Sequence, residues 1–320
     1  MALTYNQITS ITENVFIRKL ADNIFTSKAY LAYMKQPGRM KLLDGGDQII
    51  VPIIYSKPGT SGRFYTNLDA LNTDPTDNQT AARFTWKQQY EPIRISRLDL
   101  LKNNGDAAKL SLIASKSQIA QENIDDVALL GIFSDGTAAT GALSADQHTG
   151  LAAAIHATST YGNISTSDFA GWAATIKSNS GTNRALTLNL INSIIGALTE
   201  GKNRPDLAVM KQNVADELWG LFQPHQRLMN EGMKKLGFEG VLEVNGVPHI
   251  VDSHAPANEI QYLNSEFCYM VAHRDENWRK ETLEKLETSN SMLTRFFWMG
   301  NIVTSNRRFI GKLDDIEVAA

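Results

Sequence analysis

Hydrophobic positions change their period along the chain. Ile17, Leu20, Ile24, Leu31 and Met34 recur at helical spacing, one stripe of an amphipathic arm over residues 1–44 that Pro37-Gly38 would stop. Beyond Gly45-Gly46 the period falls to two. Ile49, Val51, Ile53 and Tyr55 share one parity and Ile50 and Ile54 the other, with Pro52 demanding an edge or irregular position because it has no N–H to give a ladder. A second extended run covers 83–98, with Phe84 and Trp86 on one parity and Ile93 and Ile95 on the opposite one; the switch near Tyr90-Glu91-Pro92 predicts a bulge. Between the runs, 57–82 is rich in Gly, Asn, Thr and Asp and almost devoid of apolar residues. Compact domains rarely keep so long a connection without a function for it. Flanked by two strand-like arms that can pair, it reads as a projecting β-hairpin reaching on the order of 40 Å.

The strongest helix signal spans 106–133. Asp106 can cap it after Asn104-Gly105, Leu110, Ile113, Ala120, Ile124 and Val127 form its stripe, and Ser134-Asp135-Gly136 ends it. Such a rod is roughly 40 Å long. Its other side carries Lys116, Gln121, Asp125 and Asp126, so the beam is expected to lie on a sheet or on another subunit. Residues 134–182 are rich in Gly, Ala, Ser and Thr, with short elements at 150–156 and 168–177. Helices follow at 186–201 and 214–222, with a short buried strand at 206–210 between them. Asn245-Gly246 between 241–244 and 247–251 is a type I′ hairpin signal. The remainder is strand-rich, around Tyr262, Phe267, Tyr269 and Val271, then 294–301 and 309–313. The fold class expected is α+β.

Charge and composition narrow the function. The 320 residues carry 31 Lys+Arg against 34 Asp+Glu, a net charge of −3, and a single cysteine, Cys268. One thiol excludes a disulfide framework and any site needing several thiolates. Slight acidity argues against a protein whose main task is wrapping nucleic acid. No apolar run approaches the ~18 residues of a membrane span, and the start Met-Ala-Leu-Thr-Tyr-Asn lacks the features of a signal peptide, so a cytosolic product is expected. The arm alone is basic: Arg18, Lys19, Lys28, Lys35, Arg39 and Lys41 stand against Asp22. A solvated helical face accounts for these charges.

Candidate chemistry is sparse. No phosphate-binding loop, nucleophile elbow, zinc-protease helix or calcium loop occurs. His249, Asp252 and His254 suggest metal ligands or a hydrolase site, but strand alternation puts Asp252 and His254 on one face and His249 on the other, one ligand short of a catalytic zinc. Asp69, Asp74 and Asp77 lack calcium-loop order and suit turns. Arg63-Phe64-Tyr65 and Arg307-Arg308-Phe309 mix cations with aromatics, as single-strand binders do, and equally as subunit interfaces do. No catalytic residue, metal or cofactor is expected. Two rival readings are a nucleic-acid-binding module using the basic arm with Arg307-Arg308, and a hydrolase using His249, Asp252 and His254.

The order of elements resembles the major capsid protein of tailed bacteriophages, the fold named after the Hong Kong 97 phage. Gly46-Asp47-Gln48-Ile49-Ile50-Val51-Pro52 looks like the strand entering that family's extended loop and 84–103 like its return. Residues 184–210 look like the helix and first strand leading into the axial domain, and Val247-Pro248-His249-Ile250-Val251-Asp252 like that domain's closing hairpin. The resemblance covers nearly the whole chain. It implies an arm at 1–44, an extended loop at 45–98, a peripheral domain at 99–204 with 259–320 built on the 106–133 spine helix, and an axial domain at 205–258. It also implies a non-enzymatic shell protein of the virion, made in the host cytoplasm, whose main partner is itself in hexamers and pentamers. A separate scaffolding protein, a portal and a decoration protein are the further partners, with double-stranded DNA enclosed but little bound and no membrane involved. Contacts between subunits are expected at Arg18, Lys19, Arg63, Phe64, Tyr65, Trp86, Arg307 and Arg308. The arm and the 57–82 loop add little to a core of their own, so their ordering cost of ~1–2 kcal/mol per residue must be offset by neighbouring copies.

Overall fold

The computed structural model describes residues 28–36, 38–55, 64–67, 69, 78–102, 106–137, 146–222, 242–282, 284–286 and 289–318. Arg18, Lys19, Arg63, Asp74, Asp77, Asn104-Gly105 and the arm stripe before Lys28 lie outside them.

After the arm helix Ala29–Met34 come strands β1 (Met40–Leu43), β2 (Gln48–Ile54), β3 (Gln79–Thr85) and β4 (Lys87–Ser96), then a short helix Arg97–Lys102 and the long helix Asp106–Phe133. β5 (Thr175–Lys177), the helix Leu188–Leu198, β6 (Leu207–Met210), the helix Gln212–Phe222, β7 (Leu242–Val244) and β8 (Val247–Val251) follow. The chain ends with β9 (Ile260–Leu263), β10 (Cys268–His273), β11 (Arg279–Lys280), β12 (Glu284–Lys285), β13 (Ser291–Thr304) and β14 (Gly311–Leu313). These strands make a six-stranded sheet centred on β13, a second six-stranded sheet in the order β5-β14-β9-β6-β8-β7, and the β2–β3 pair.

The long helix lies on β4 and β13. Ala120 and Ile124 pack there on Ile93, Ile95 and Phe296, and the buried side continues through Ala128, Leu129 and Ile132, with Val127 only half-buried. In the second sheet β6 is apolar throughout because it is covered on both faces. Leu207 and Val209 join the main core, whereas Ala208 and Met210 join a separate cluster under the Leu188–Leu198 and Gln212–Phe222 helices. Thr187 caps the first of these, its hydroxyl accepting from Leu190 N. Asn245 and Gly246 have φ of 49° and 72°, the left-handed pair that a type I′ turn requires.

Three expectations change. The expected bulge at Tyr90–Pro92 is absent: β4 pairs with β13 in unbroken register from Lys87↔Gly300 through Pro92↔Arg295 to Ser96↔Ser291. Parity switches instead at Trp86, where the chain leaves the β2–β3 pair and enters the large sheet. Phe309 belongs to a 3₁₀ turn, Arg307–Phe309, that precedes the last strand. Among the described residues the arm's cations are not a solvated face. Lys28 pairs with Asp126 (3.2 Å) and Lys35 with Asp125 (2.8 Å). Arg39 lies over the Tyr33 ring (3.5 Å) beside Asp206, and Lys41 over Tyr269 (3.5 Å). Asp125 and Asp126, read as the long helix's polar side, therefore face the arm.

Candidate assembly surfaces

The hairpin stems from a rigid base. β2 and β3 pair antiparallel from Gln48↔Thr85 to Ile54↔Gln79. Alternation divides their side chains, so that Ile49, Val51, Ala82 and Phe84 enter the main core. Phe84 meets Tyr161 edge-on at 5.0 Å, and Arg83 N donates to Gly162 O at 2.9 Å. Gly162, at φ 59°, has no room for a side chain: a Cβ would lie 2.8 Å from that of Ala82. Pro52 sits opposite Ala81 in this two-stranded edge ladder, where its missing N–H costs nothing. Trp86 closes the base. It is half-buried, donates its indole N–H to Gly46 O (2.8 Å) and meets His273 edge-on.

The opposite face is bare. Ile50 and Ile54 are 61% and 63% exposed, and toward the tip Phe64 and Tyr65 are 106% and 66% exposed. Thr66 N and Oγ1 both donate to Asp69, a turn that holds the Asp69 carboxyl below its usual range and matches the turn role expected of it. Leu98, Leu101, Tyr90 and Trp219 are further exposed apolar groups that alternation and helical spacing alone did not single out. Large side chains left in water mark candidate interaction surfaces.

The paired cation–aromatic motif at 307–309 divides. Arg308 is exposed and pairs with Glu200 at 3.2 Å. Arg307 is wholly buried within its own chain. Its guanidinium donates to the carbonyls of Ala154 (2.7 Å), His156 (2.5 Å), Ser159 (3.1 Å) and Ala153 (3.3 Å) and to Ser159 Oγ (3.2 Å). Desolvation lowers its pKa to about 10. It organises the loop that follows the short helix Leu151–Ala154.

His249, Asp252 and His254 do not converge. The buried His249 ring lies between Val247 O (2.9 Å) and Tyr262 Oη (3.3 Å), and burial pushes it down to about 4. Asp252, also buried, accepts from Tyr30 N and His254 N, both at 3.0 Å, and so ties the arm helix to the end of β8. Among the described residues no group of three or more His, Cys, Asp or Glu is placed to hold a metal ion, and no helix is long and apolar enough to cross a membrane. Burial pushes the Cys268 thiol up to about 11.

The architecture is a mixed α+β chain with the fold of phage capsid proteins, matched along essentially its whole length. The capsid asymmetric unit of cyanophage A-1(L) is similar at a TM-score of 0.72 and 18% identity, covering 98% of this chain and 99% of the other. The capsid of a native GTA particle gives 0.66 and 11%, with 96% of each chain covered. The holo-SrpI encapsulin complex of Synechococcus elongatus PCC 7942 gives 0.60 and 10%, covering 100% of this chain and 98% of the other. No protein-family model and no curated protein matches the sequence.

Proposed function

We propose that this protein is the major capsid subunit of a tailed phage, a structural rather than catalytic protein that assembles as hexamers and pentamers into an icosahedral or prolate head around double-stranded DNA. The observation that carries the reading is the group of large apolar side chains left exposed along the hairpin, Ile50, Ile54, Phe64 and Tyr65, on a chain whose fold matches shell subunits from end to end. The higher TM-score to the cyanophage subunit than to the encapsulin favours the phage assignment. In this reading 1–44 is the arm, 45–98 the extended loop, 99–204 with 259–320 the peripheral domain and 205–258 the axial domain, whose sheet also takes in β5, β9 and β14. Phe64, Tyr65, Trp86 and Arg308 contact neighbouring copies, as do Arg18, Lys19 and Arg63; Arg307 is withdrawn from that set. Weak direct DNA binding is supported by the arm cations Lys28, Lys35 and Arg39, which lie against carboxylates of their own chain. A separate scaffolding protein, a portal and a decoration protein are its partners. The virion is its destination and the host cytoplasm its place of synthesis. Sedimentation of the purified protein tests the reading: hexameric rings or shells of very high mass support it, whereas a stable monomer or dimer at every concentration overturns it.

A further inference from the structure

We propose that His148 is an acid-sensitive latch joining the end of the long helix, the central strand β13 and the exit of the hairpin, and that it opens when its imidazole gains a proton. The residue is only 5% exposed, and its Nδ1 is buried with no hydrogen-bond partner among the described residues. The Trp298 ring of β13 meets it at 4.9 Å and 88°, and Trp298 Nε1 is likewise without a partner. On the long helix the ring occupies space that only glycine leaves: a Cβ at Gly131 would lie 2.7 Å from His148 Cδ2. Contacts of its backbone couple the same segment outward. Just past the long helix, Gly136 approaches so closely that a Cβ there would lie 3.0 Å from His148 O; Thr149 N donates to Asn301 Oδ1 (2.9 Å), and Asn301 Nδ2 donates to Thr85 O (3.0 Å) at the end of β3. Moving residue 148 therefore disturbs three elements at once.

A neutral imidazole fits this site and an imidazolium does not, because the Nδ1–H that the cation must carry has no acceptor. The groups that meet the ring from the long helix and β13, Gly131 and Trp298, carry no charge. Lys87 of β4 adds a repulsive positive charge, and Asp146, two residues away, lines a surface groove with Lys87. Burial first, and Lys87 second, push His148 from 6.5 down to about 4. The opened segment, with its imidazole in water, titrates at the ordinary value. Acid therefore favours opening, and the opening equilibrium rises roughly 60-fold between pH 7 and pH 4.5.

Amide hydrogen exchange of 146–150, corrected for the intrinsic pH dependence of exchange, measures this in the 320-residue chain and in His148→Phe, which keeps an aromatic ring but no titratable group. The wild type is expected to show the rise and His148→Phe a flat response. An equal rise in both, or none in the wild type, overturns the proposal. Should His148→Phe not fold, the ring titration of His148 in the wild-type chain decides by NMR: a midpoint near 4 supports the latch and one at 6 or above overturns it.

Discussion

Replacing Arg307 with methionine separates an interior role from an interface role. The substitution keeps much of the stem but removes every donor from a site where five oxygens receive the guanidinium, three of them at 2.5, 2.7 and 3.1 Å. Orphaning a buried acceptor costs ~1 kcal/mol at the low end, so loss of those three closest contacts amounts to about 3 kcal/mol. The two longer contacts, to Ala153 O and Ser159 Oγ, add less, and relief of the desolvated cation offsets part of the total. Arg307→Lys supplies a single ammonium that reaches some of these oxygens, and about half of the loss is expected for it. Urea unfolding of the unassembled chain, followed by circular dichroism, reads both variants against the wild type. A loss for Arg307→Met below about 1 kcal/mol, together with failed assembly, would refute the reasoning and return Arg307 to the subunit interface.

Asp252→Ala removes the acceptor of Tyr30 N and His254 N and is expected to cost about 2–3 kcal/mol. Limited proteolysis should then cut sooner around the arm helix, and an unchanged cleavage pattern would contradict the clamp. His249 is held neutral in the fold, so the unfolded chain binds a proton first as pH falls. Stability is full above pH 6.5 and declines toward pH 4, by about 3 kcal/mol at 1.36 kcal/mol per unit. Urea midpoints taken across that window should lose part of this slope in His249→Gln; identical slopes would count against the assignment. Phe64→Ser with Tyr65→Ser should leave the unfolding midpoint of the lone subunit within about 0.5 kcal/mol, because both side chains stand in water, while reducing particle yield on a sedimentation gradient. Unchanged yield would remove these residues from the interface.

Legibility in the sequence followed the range of the interactions. The long helix was readable from the breakers that bound it, Asn104-Gly105 before and Ser134-Asp135-Gly136 after, although its apolar positions hardly segregate to one face, and the faces of β2 were readable because alternation is local. The parity switch was visible but misplaced: a strand that changes sheets at Trp86 leaves the same trace as an inserted residue. The arm's cations were visible, whereas their partners Asp125, Asp126 and Asp206 lie far along the chain and carry no pairing signal. Arg307 was the least legible, since a guanidinium satisfied by backbone carbonyls has no side-chain partner to betray its burial. The second sheet likewise recruits β5 and β14 from segments distant in sequence, so that its extent exceeds the 205–258 unit delimited by local signals.

The most direct test of a shell role for the hairpin is electron cryomicroscopy of the particles this protein forms. Closed shells are expected in which a sister subunit covers the Ile50–Ile54 face and Tyr65. Shells in which that face stays open to solvent, or a preparation holding only discrete small oligomers, would contradict that role.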